Sequence, residues 1–358
     1  MKFDVVIGNP PYQENDNGKR EGGATNASAS PLYHLFVESA IKVSSIQSLI
    51  IPARWITGAG KGLGKFSEDM IRSNAFKHFS YYANSKDIFP NNEITGGICC
   101  FVRDNEYNGK TNIESKFKSG SETSRRYFDE HNIGVFIPFS KLTDVITKVR
   151  TKEDLKRKNM QKIVSVLKPY GLRTDFFHNP NKYSLPNILD YKGEEDNIEI
   201  FGLDYGKRTS KFVPKDYPIP FGLDSVNKYK VFLPYAYGGD GILGESEAVT
   251  LLGQPLTGKP GQICTETYLN IGNFNTEFEA NSLLKYIKTK FFRVLVGILK
   301  STQHATRTFR LVPIQDFTSN SDIDWTKSIS EIGQQLYKKY GLTQEEIDFI
   351  ESNVKEME

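Results

Sequence analysis

The chain has 358 residues, of which 38% are hydrophobic and 25% are charged, the composition of an ordinary soluble protein that is large enough for two domains. Its net charge of +3 permits nucleic-acid binding without establishing it. No apolar run approaches the roughly 18 residues of a membrane span, no signal peptide is evident, and the three cysteines lack metal-ligand spacing. We therefore expect a cytoplasmic protein with no membrane segment and no metal site.

A short apolar run opens the chain, and a stiff turn follows it. The run Phe3–Gly8 is rich in β-branched residues and predicts a buried strand. Asn9-Pro10-Pro11-Tyr12 comes next, at the strand end where open α/β sheets bind ligands. Two prolines stiffen the backbone, so the Asn9 amide and the Pro10 carbonyl can face one point beside the flat Tyr12 ring. This arrangement suits a ring with an exocyclic amine. The alternative is a strand that ends in a Pro-Pro turn with a chance asparagine and tyrosine.

The motif resembles that of the amino-group DNA methyltransferases, in particular the methylase part of type II restriction–modification enzymes. The resemblance implies an adenine-N6 DNA methyltransferase that takes its methyl group from S-adenosylmethionine (SAM) and acts on double-stranded DNA. It implies catalytic roles for Asn9, Pro10, Pro11 and Tyr12, with Tyr12 stacked on a flipped base and Asn9 and Pro11 also near SAM. No covalent enzyme intermediate is implied, and no Cys-Pro nucleophile motif is present.

The elements that follow predict an α/β fold. A polar loop extends from Gln13 to Ser30, and Ser30-Pro31 is a good helix start. The further predicted elements are a strand over 46–52, a helix over 66–73, a strand over 76–82 and a strand over 94–103. Their order is that of the second half of the doubly wound, Rossmann-like sheet of SAM-dependent methyltransferases.

An aromatic-proline turn, Phe89-Pro90, precedes the last of these strands. In several members of the resembled family, the Phe of that turn forms the second wall of the base pocket. The resemblance therefore implies a base-stacking role for Phe89. The alternative is a core phenylalanine before a turn.

The Gly-rich SAM turn and the acidic strand end that precede the motif in the resembled family are not found before Phe3. The run Val231–Gly241 contains Gly-x-Gly but lacks a following strand with an acidic end, so it is a poor substitute. We therefore expect a second chain to carry the first half of the sheet.

Composition divides the chain into residues 1–108, a partial catalytic domain, 109–335, an α+β target-recognition domain, and 336–358, a docking helix. Helices are expected over 141–150 and 160–167, and strands over 198–203, 229–233 and 309–313. The basic residues Lys156, Arg157 and Lys158 could follow phosphates or form a solvated face, and Arg307 and Arg310 are further candidates for DNA contact.

Three functions are compatible with these features. The first is the adenine-N6 methyltransferase. The second is a non-catalytic DNA-recognition fragment or subunit of a split restriction–modification enzyme, which the absence of the SAM turn favours. The third is methylation of a protein Gln or Asn, which the long region after Asp104 argues against.

Overall fold

The computed structural model describes residues 2–14, 30–58, 60, 62–130, 132–188, 197–237, 243–244, 247–300 and 308–357. The chain folds as two compact units, one of Met1–Thr147 with Ile242–Ala248 and one of Lys148–Gly241 with Val249–Glu358. No helix within the described ranges has the length and the apolar character to cross a membrane.

The first unit is built on a six-stranded mixed sheet. Its elements are β1 (Phe3–Gly8), α1 (Tyr33–Val43), β2 (Ser44–Pro52), α2 (Gly64–Arg72), β3 (Phe76–Tyr82), β4 (Ile98–Asp104), β5 (Thr111–Phe117), β6 (Gly120–Arg126) and the start of α3 (Ser140–Lys152). The strand order is β1-β2-β4-β3-β5-β6. β1 runs parallel to β2, and β4 runs antiparallel to both of its neighbours.

Aromatic rings fill the core beneath this sheet. Trp55 is fully buried, and Phe128 stacks on it with ring centroids 6.0 Å apart. Phe79 and Tyr81 alternate inward from β3, as its half-exposed pattern predicts, and Phe76 joins the same core because the strand is irregular between Phe76 and His78. Their burial fixes the register of β3 against β4, and through β4 it supports β2 and β1.

β1 lies where the sequence predicts a strand, but it is not buried. Phe3, Val5 and Ile7 point to one face and are 50%, 45% and 79% exposed. Within the described ranges β1 pairs only with β2, so its second edge is open. The prediction of a buried strand was wrong because residues outside the strand decide whether an apolar run is covered.

Two further expectations for this unit differ from the structure. β5 and β6 extend the first sheet, since β5 pairs in parallel with β3, and the compact unit therefore continues to Thr147 and not to residue 108. β4 begins at Ile98 and not at residue 94, because Gly96 and Gly97 adopt positive φ angles of 91° and 81° that end an extended backbone.

The second unit combines two small sheets with a layer of helices. Its elements are β7 (Ile198–Asp204), β8 (Lys207–Val213), α4 (Leu223–Val226), β9 (Tyr229–Pro234), β10 (Leu256–Gly258), β11 (Gln262–Cys264), β12 (Tyr268–Phe274), α5 (Glu277–Lys288), α6 (Lys290–Leu299), α7 (Ile329–Tyr340) and α8 (Gln344–Asn353). The sheet orders are β10-β9-β12 and β11-β7-β8. Thr343 caps α8 through a capping box with Glu346, as the sequence indicates.

The strands expected over 198–203 and 229–233 are confirmed, but two other elements are not. Residues 160–167 form only a short 3₁₀ turn, Met160–Lys162, and the strand expected over 309–313 is a 3₁₀ turn, Phe309–Leu311. Tertiary pairing explains both, since the Met160 amide donates to the Val312 carbonyl and Val164 pairs with Ile271. The Gly-x-Gly segment, residues 238–241, lies outside the described residues.

Candidate active site

The predicted motif lies at the carboxyl ends of the parallel strands β1 and β2, where ligands of α/β proteins bind. Because β1 and β2 are parallel and Gly8 is opposite Leu49, Asn9 and Pro52 emerge at the same edge. Asn9 and Pro11 are exposed and Pro10 is half-buried. The Asn9 amide is therefore accessible to a ligand.

The chain after the motif is fastened to the segment before α1. The Leu32 amide donates to the Tyr12 carbonyl at 3.0 Å, the Glu14 amide donates to the Ser30 carbonyl at 3.1 Å, and Gln13 forms an antiparallel bridge with Pro31. Ser30 is used in this pairing and does not cap α1, which begins later, at Tyr33, with no side-chain cap. The bridge fixes the position of the Tyr12 backbone.

The hydroxyl of Tyr12 is buried, so the ring is the part of the side chain that a ligand can contact. The residue is half-buried, and its ring packs against the core of the first unit. Its hydroxyl is buried and has no hydrogen-bond partner among the described residues. Burial raises the pKa of Tyr12 to about 12, with smaller contributions from Cys99 and Cys100. The phenol thus stays neutral, and its available surface is the aromatic face.

Phe89 lies beside Tyr12. The two ring centroids are 6.4 Å apart, and the rings are inclined by 67°. This geometry is edge-to-face, so one flat base cannot lie parallel to both rings. The rings are close together, but they do not form two parallel walls.

Ser85 fastens the Phe89 turn, a role that no sequence pattern indicates. Its carbonyl accepts from the Phe89 amide at 2.9 Å. Its buried hydroxyl accepts from the Ile94 amide at 2.8 Å and donates to the Asn92 carbonyl at 3.1 Å. These bonds close the loop, so the backbone of Phe89 is held in position.

A cavity of about 280 Å³ opens beside Tyr12, at the ends of β1 and β2. Pro31, Tyr33, Pro52, Arg54 and Thr95 are among the residues that line it, whereas Asn9 and Phe89 are not. The Arg54 Nε donates to the Thr95 carbonyl at 2.7 Å, which orients a cation at the cavity. Arg54 was not among the predicted site residues, although its place directly after β2 is the signal that could have identified it.

The thiols on β4 are poor candidates for nucleophiles. Cys99 is buried and Cys100 is half-buried, as expected for neighbours on opposite faces of a strand. Burial raises the pKa of each thiol. Neither thiol is therefore ionised near neutral pH.

The predicted DNA contacts of the second unit fall on adjacent segments. Lys156, Arg157 and Lys158 are all exposed in the turn after α3, and the Arg157 Nε lies 3.6 Å from the Asp154 carboxylate. Arg310 is exposed, and the bridge between residues 159 and 313 brings its segment beside this turn. Arg307 lies outside the described residues.

Two comparisons identify relatives of the chain. Residues 1–89 match the family model of the Eco57I restriction-modification methylase. A curated protein of Mycoplasma pneumoniae, described as an uncharacterized adenine-specific methylase, is 32% identical over 156 residues, which are 43% of this chain and 36% of that protein. The matched segment thus spans about a third of the relative. These matches confirm the resemblance to restriction–modification methylases.

Solved structures with some likeness also come from restriction–modification systems. The type IIL enzyme MmeI in complex with DNA gives a TM-score of 0.42 at 9% identity, over 98% of this chain and 56% of that chain. The type IIG endonuclease BpuSI gives 0.35 at 14% identity, over 95% and 49%. A type I methyltransferase subunit from Streptococcus thermophilus gives 0.25 at 15% identity, over 43% and 32%. At scores below 0.5, these likenesses establish neither a shared fold nor a shared function.

Proposed function

We propose that this chain carries the catalytic half of an adenine-N6 DNA methyltransferase of a restriction–modification system. The observation that supports this most is the position of Asn9-Pro10-Pro11-Tyr12 at the ligand-binding edge of the sheet, with the Tyr12 ring available beside Phe89. The six strands of the first unit would then be the second half of a methyltransferase sheet, extended by β5 and β6.

The residues of the motif prepare the target amine. The Asn9 amide oxygen and the Pro10 carbonyl accept the two N6 hydrogens, which raises electron density on the nitrogen. Adenine must first leave the duplex, at a cost of a few kcal/mol. Stacking on Tyr12, worth roughly 1–3 kcal/mol per base, offsets that cost.

When bound, SAM supplies an electrophilic methyl group to this amine. Asn9 and Pro11 would contact it, and their exposure beside the open edge of β1 is compatible with that role. The described residues do not provide a strand on that side of β1. We propose that a second polypeptide supplies the strands that hold the rest of SAM.

The exposed face of β1 supports the proposal of a second polypeptide. Ile7 is 79% exposed, and Phe3 and Val5 are about half exposed. A strand with a free edge and an apolar face is a template for pairing with another chain. The strands of the second polypeptide would pair with the free edge and cover the apolar face. The second unit would recognise double-stranded DNA.

Substitution of Asn9 tests the proposal. Methyl transfer from tritiated SAM to DNA that lacks adenine methylation is measured for the chain combined with the polypeptide encoded beside it. We expect Asn9→Ala to abolish transfer and to change DNA affinity by less than about tenfold, because phosphate contacts dominate affinity. Asn108→Ala, at an exposed asparagine in a turn, is the matched control.

Equal transfer by Asn9→Ala and the parent would refute the mechanism. If the combined protein binds DNA but transfers no methyl group, the non-catalytic DNA-recognition subunit is the correct function. A calorimetric titration with SAM completes the test, since the chain alone is expected to bind SAM weakly or not at all. Micromolar binding by the isolated monomer would refute the need for a partner.

A further inference from the structure

The hairpin of β7 and β8 extends beyond the strand that pairs with its base. β11 pairs with β7 only at Glu199, Ile200 and Phe201. Beyond Phe201 the ribbon consists of two strands, which remain paired as far as Asp204 and Lys207. Its base is anchored, since Ile200 is fully buried in the core of the second unit. The tip is therefore a narrow projection from a rigid base.

The tip displays an aromatic ring. Tyr205 is 89% exposed, so its ring contributes little to burial. It occupies the turn with φ of 45°, followed by Gly206 with φ of 81°. Asparagine or glycine is the usual residue at the first of these positions. An aromatic side chain at this place makes a contact surface available without stabilising the core.

The side chains beneath the tip support the ring, and a lysine pairs with the nearest carboxylate. The rings of His178 and Tyr205 have centroids 4.2 Å apart. The His178 Nε2 lies 2.9 Å from one Asp204 oxygen, and the Lys211 Nζ lies 3.4 Å from the other. Tyr205 is thus packed against His178 on one side. The charge of Lys211 offsets that of Asp204, so Asp204 does not make the tip acidic.

The exposed residues of the tip carry positive charge. Residues 205–209, Tyr-Gly-Lys-Arg-Thr, are all exposed and include two cations and no carboxylate. The Arg208 guanidinium carbon lies 5.9 Å from the centre of the Tyr268 ring, which keeps this cation close to the sheet. An aromatic residue beside two cations on a narrow ribbon is complementary to a polyanion with base edges in a groove.

We propose that the β7–β8 tip enters the major groove of duplex DNA. That groove, about 12 Å wide, admits a two-stranded ribbon. Lys207 and Arg208 contact phosphates, and Tyr205 contacts base edges, among which the thymine methyl group is an apolar partner. This inference rests on the proposed function, because it takes DNA as the substrate.

The test measures DNA affinity of the full chain by fluorescence anisotropy with a labelled duplex pool between 50 and 200 mM salt. The double variant Lys207→Ala/Arg208→Ala is expected to reduce the magnitude of the negative slope of log K against log[salt] by about 2. Tyr205→Asn suits the left-handed backbone, so the variant retains its fold. It is expected to weaken binding by roughly fivefold or more with an unchanged slope, whereas Tyr205→Phe retains affinity.

Matched controls lie elsewhere in the second unit. Lys327→Ala/Lys338→Ala removes two exposed lysines, and Phe221→Ala removes a ring that is 66% exposed. Both are expected to bind as the parent does. Methyl green, a major-groove ligand, is expected to compete with the chain, and netropsin, a minor-groove ligand, is not.

The proposal is overturned if the tip variants bind as the parent does, if the controls lose as much affinity, if netropsin competes instead, or if the parent prefers single-stranded DNA. Its failure is distinct from failure of the proposed function. If the protein transfers methyl groups and the tip variants bind DNA as the parent does, only the contact between the tip and DNA is refuted. Tip-dependent DNA binding with no transfer by the combined protein would refute only the methyltransferase.

Discussion

Tyr12 shows how one residue can combine anchoring with recognition. Its backbone carbonyl is bound by Leu32, its hydroxyl is buried, and its ring faces the cavity. Within the described part of the chain, the phenol oxygen has no hydrogen-bond partner. Its burial therefore costs desolvation free energy that no hydrogen bond offsets. Under the proposed function, the ring is therefore the part of the side chain that acts.

The first prediction separates the ring from the hydroxyl. Tyr12→Phe should methylate DNA about as well as the parent and should be slightly more stable, because it removes a buried polar group. Tyr12→Ala should lose roughly tenfold or more in transfer, which corresponds to loss of one stacking contact. Transfer rates and thermal denaturation measure both. Similar losses in the two variants would show that the hydroxyl takes part in catalysis.

Lys230 is a second residue whose burial has a measurable consequence. Its ammonium group is fully buried and donates to the carbonyls of Ser225, Val226 and Gln262 at 2.7 to 3.0 Å. Burial lowers its pKa from 10.5 to about 7. Between these values the unfolded chain binds a proton that the folded chain has lost, so stability rises with pH.

The second prediction uses Lys230→Met, which removes the titrating group. The free energy of unfolding of the parent relative to this variant should increase by about 2–3 kcal/mol between pH 7 and pH 9.5. Denaturant unfolding at the two pH values measures the difference. A parent-to-variant difference that does not change with pH would mean that the three carbonyls keep the lysine charged throughout.

At the scale of single residues, the sequence predicted the motif but not its surroundings. Asn9 and Tyr12 were identifiable because their neighbours in sequence complete the pattern. Arg54 and Ser85 act through partners about 41 and 9 residues away, Thr95 and Ile94. Such partners are set by loop geometry, which no local pattern reveals.

At the scale of elements, strands with strong alternation were predicted well. The strand Phe76–Tyr82 has the predicted bounds, because one face is buried and the other is not. The helix over 160–167 failed, since pairing of Val164 with Ile271 outweighs local propensity. The division at residue 108 assigned β5 to the target-recognition domain, whereas β5 pairs with β3 in the first sheet, because the partner of a strand depends on topology.

The third prediction concerns β1, the open edge of the sheet. The isolated chain should self-associate through this edge, and Ile7→Lys should reduce association, because a charge on an edge strand opposes pairing. The side chain is already 79% exposed, so the fold should tolerate the change. Sedimentation velocity measures the result. Val166→Lys, at a side chain that is 77% exposed in the second unit, is the control. Equal effects of both variants would mean that general surface charge, and not the β1 edge, governs association.

At the scale of the whole molecule, the positive charge is modest but unevenly placed. The net charge is only +3, so the field of the whole chain attracts DNA weakly. Under the proposed function, local clusters would then supply most of the phosphate contacts. In the second unit such a cluster is formed by Lys156, Arg157, Lys158 and Arg310, on two segments joined by a backbone bridge.

The fourth prediction tests this cluster. Each cation that neutralises a phosphate contributes about 0.9 to the slope of log K against log[salt]. Lys156→Ala/Arg157→Ala/Lys158→Ala should therefore lower that slope by up to about 3 and weaken binding to all duplexes alike, because phosphate contacts carry no sequence information. Anisotropy titrations at several salt concentrations, on a preferred and a scrambled duplex, measure both quantities. The double variant Lys327→Ala/Lys338→Ala should leave them unchanged. A loss confined to the preferred duplex would instead assign base contacts to the turn after α3, whereas an unchanged slope would make these residues a solvated face.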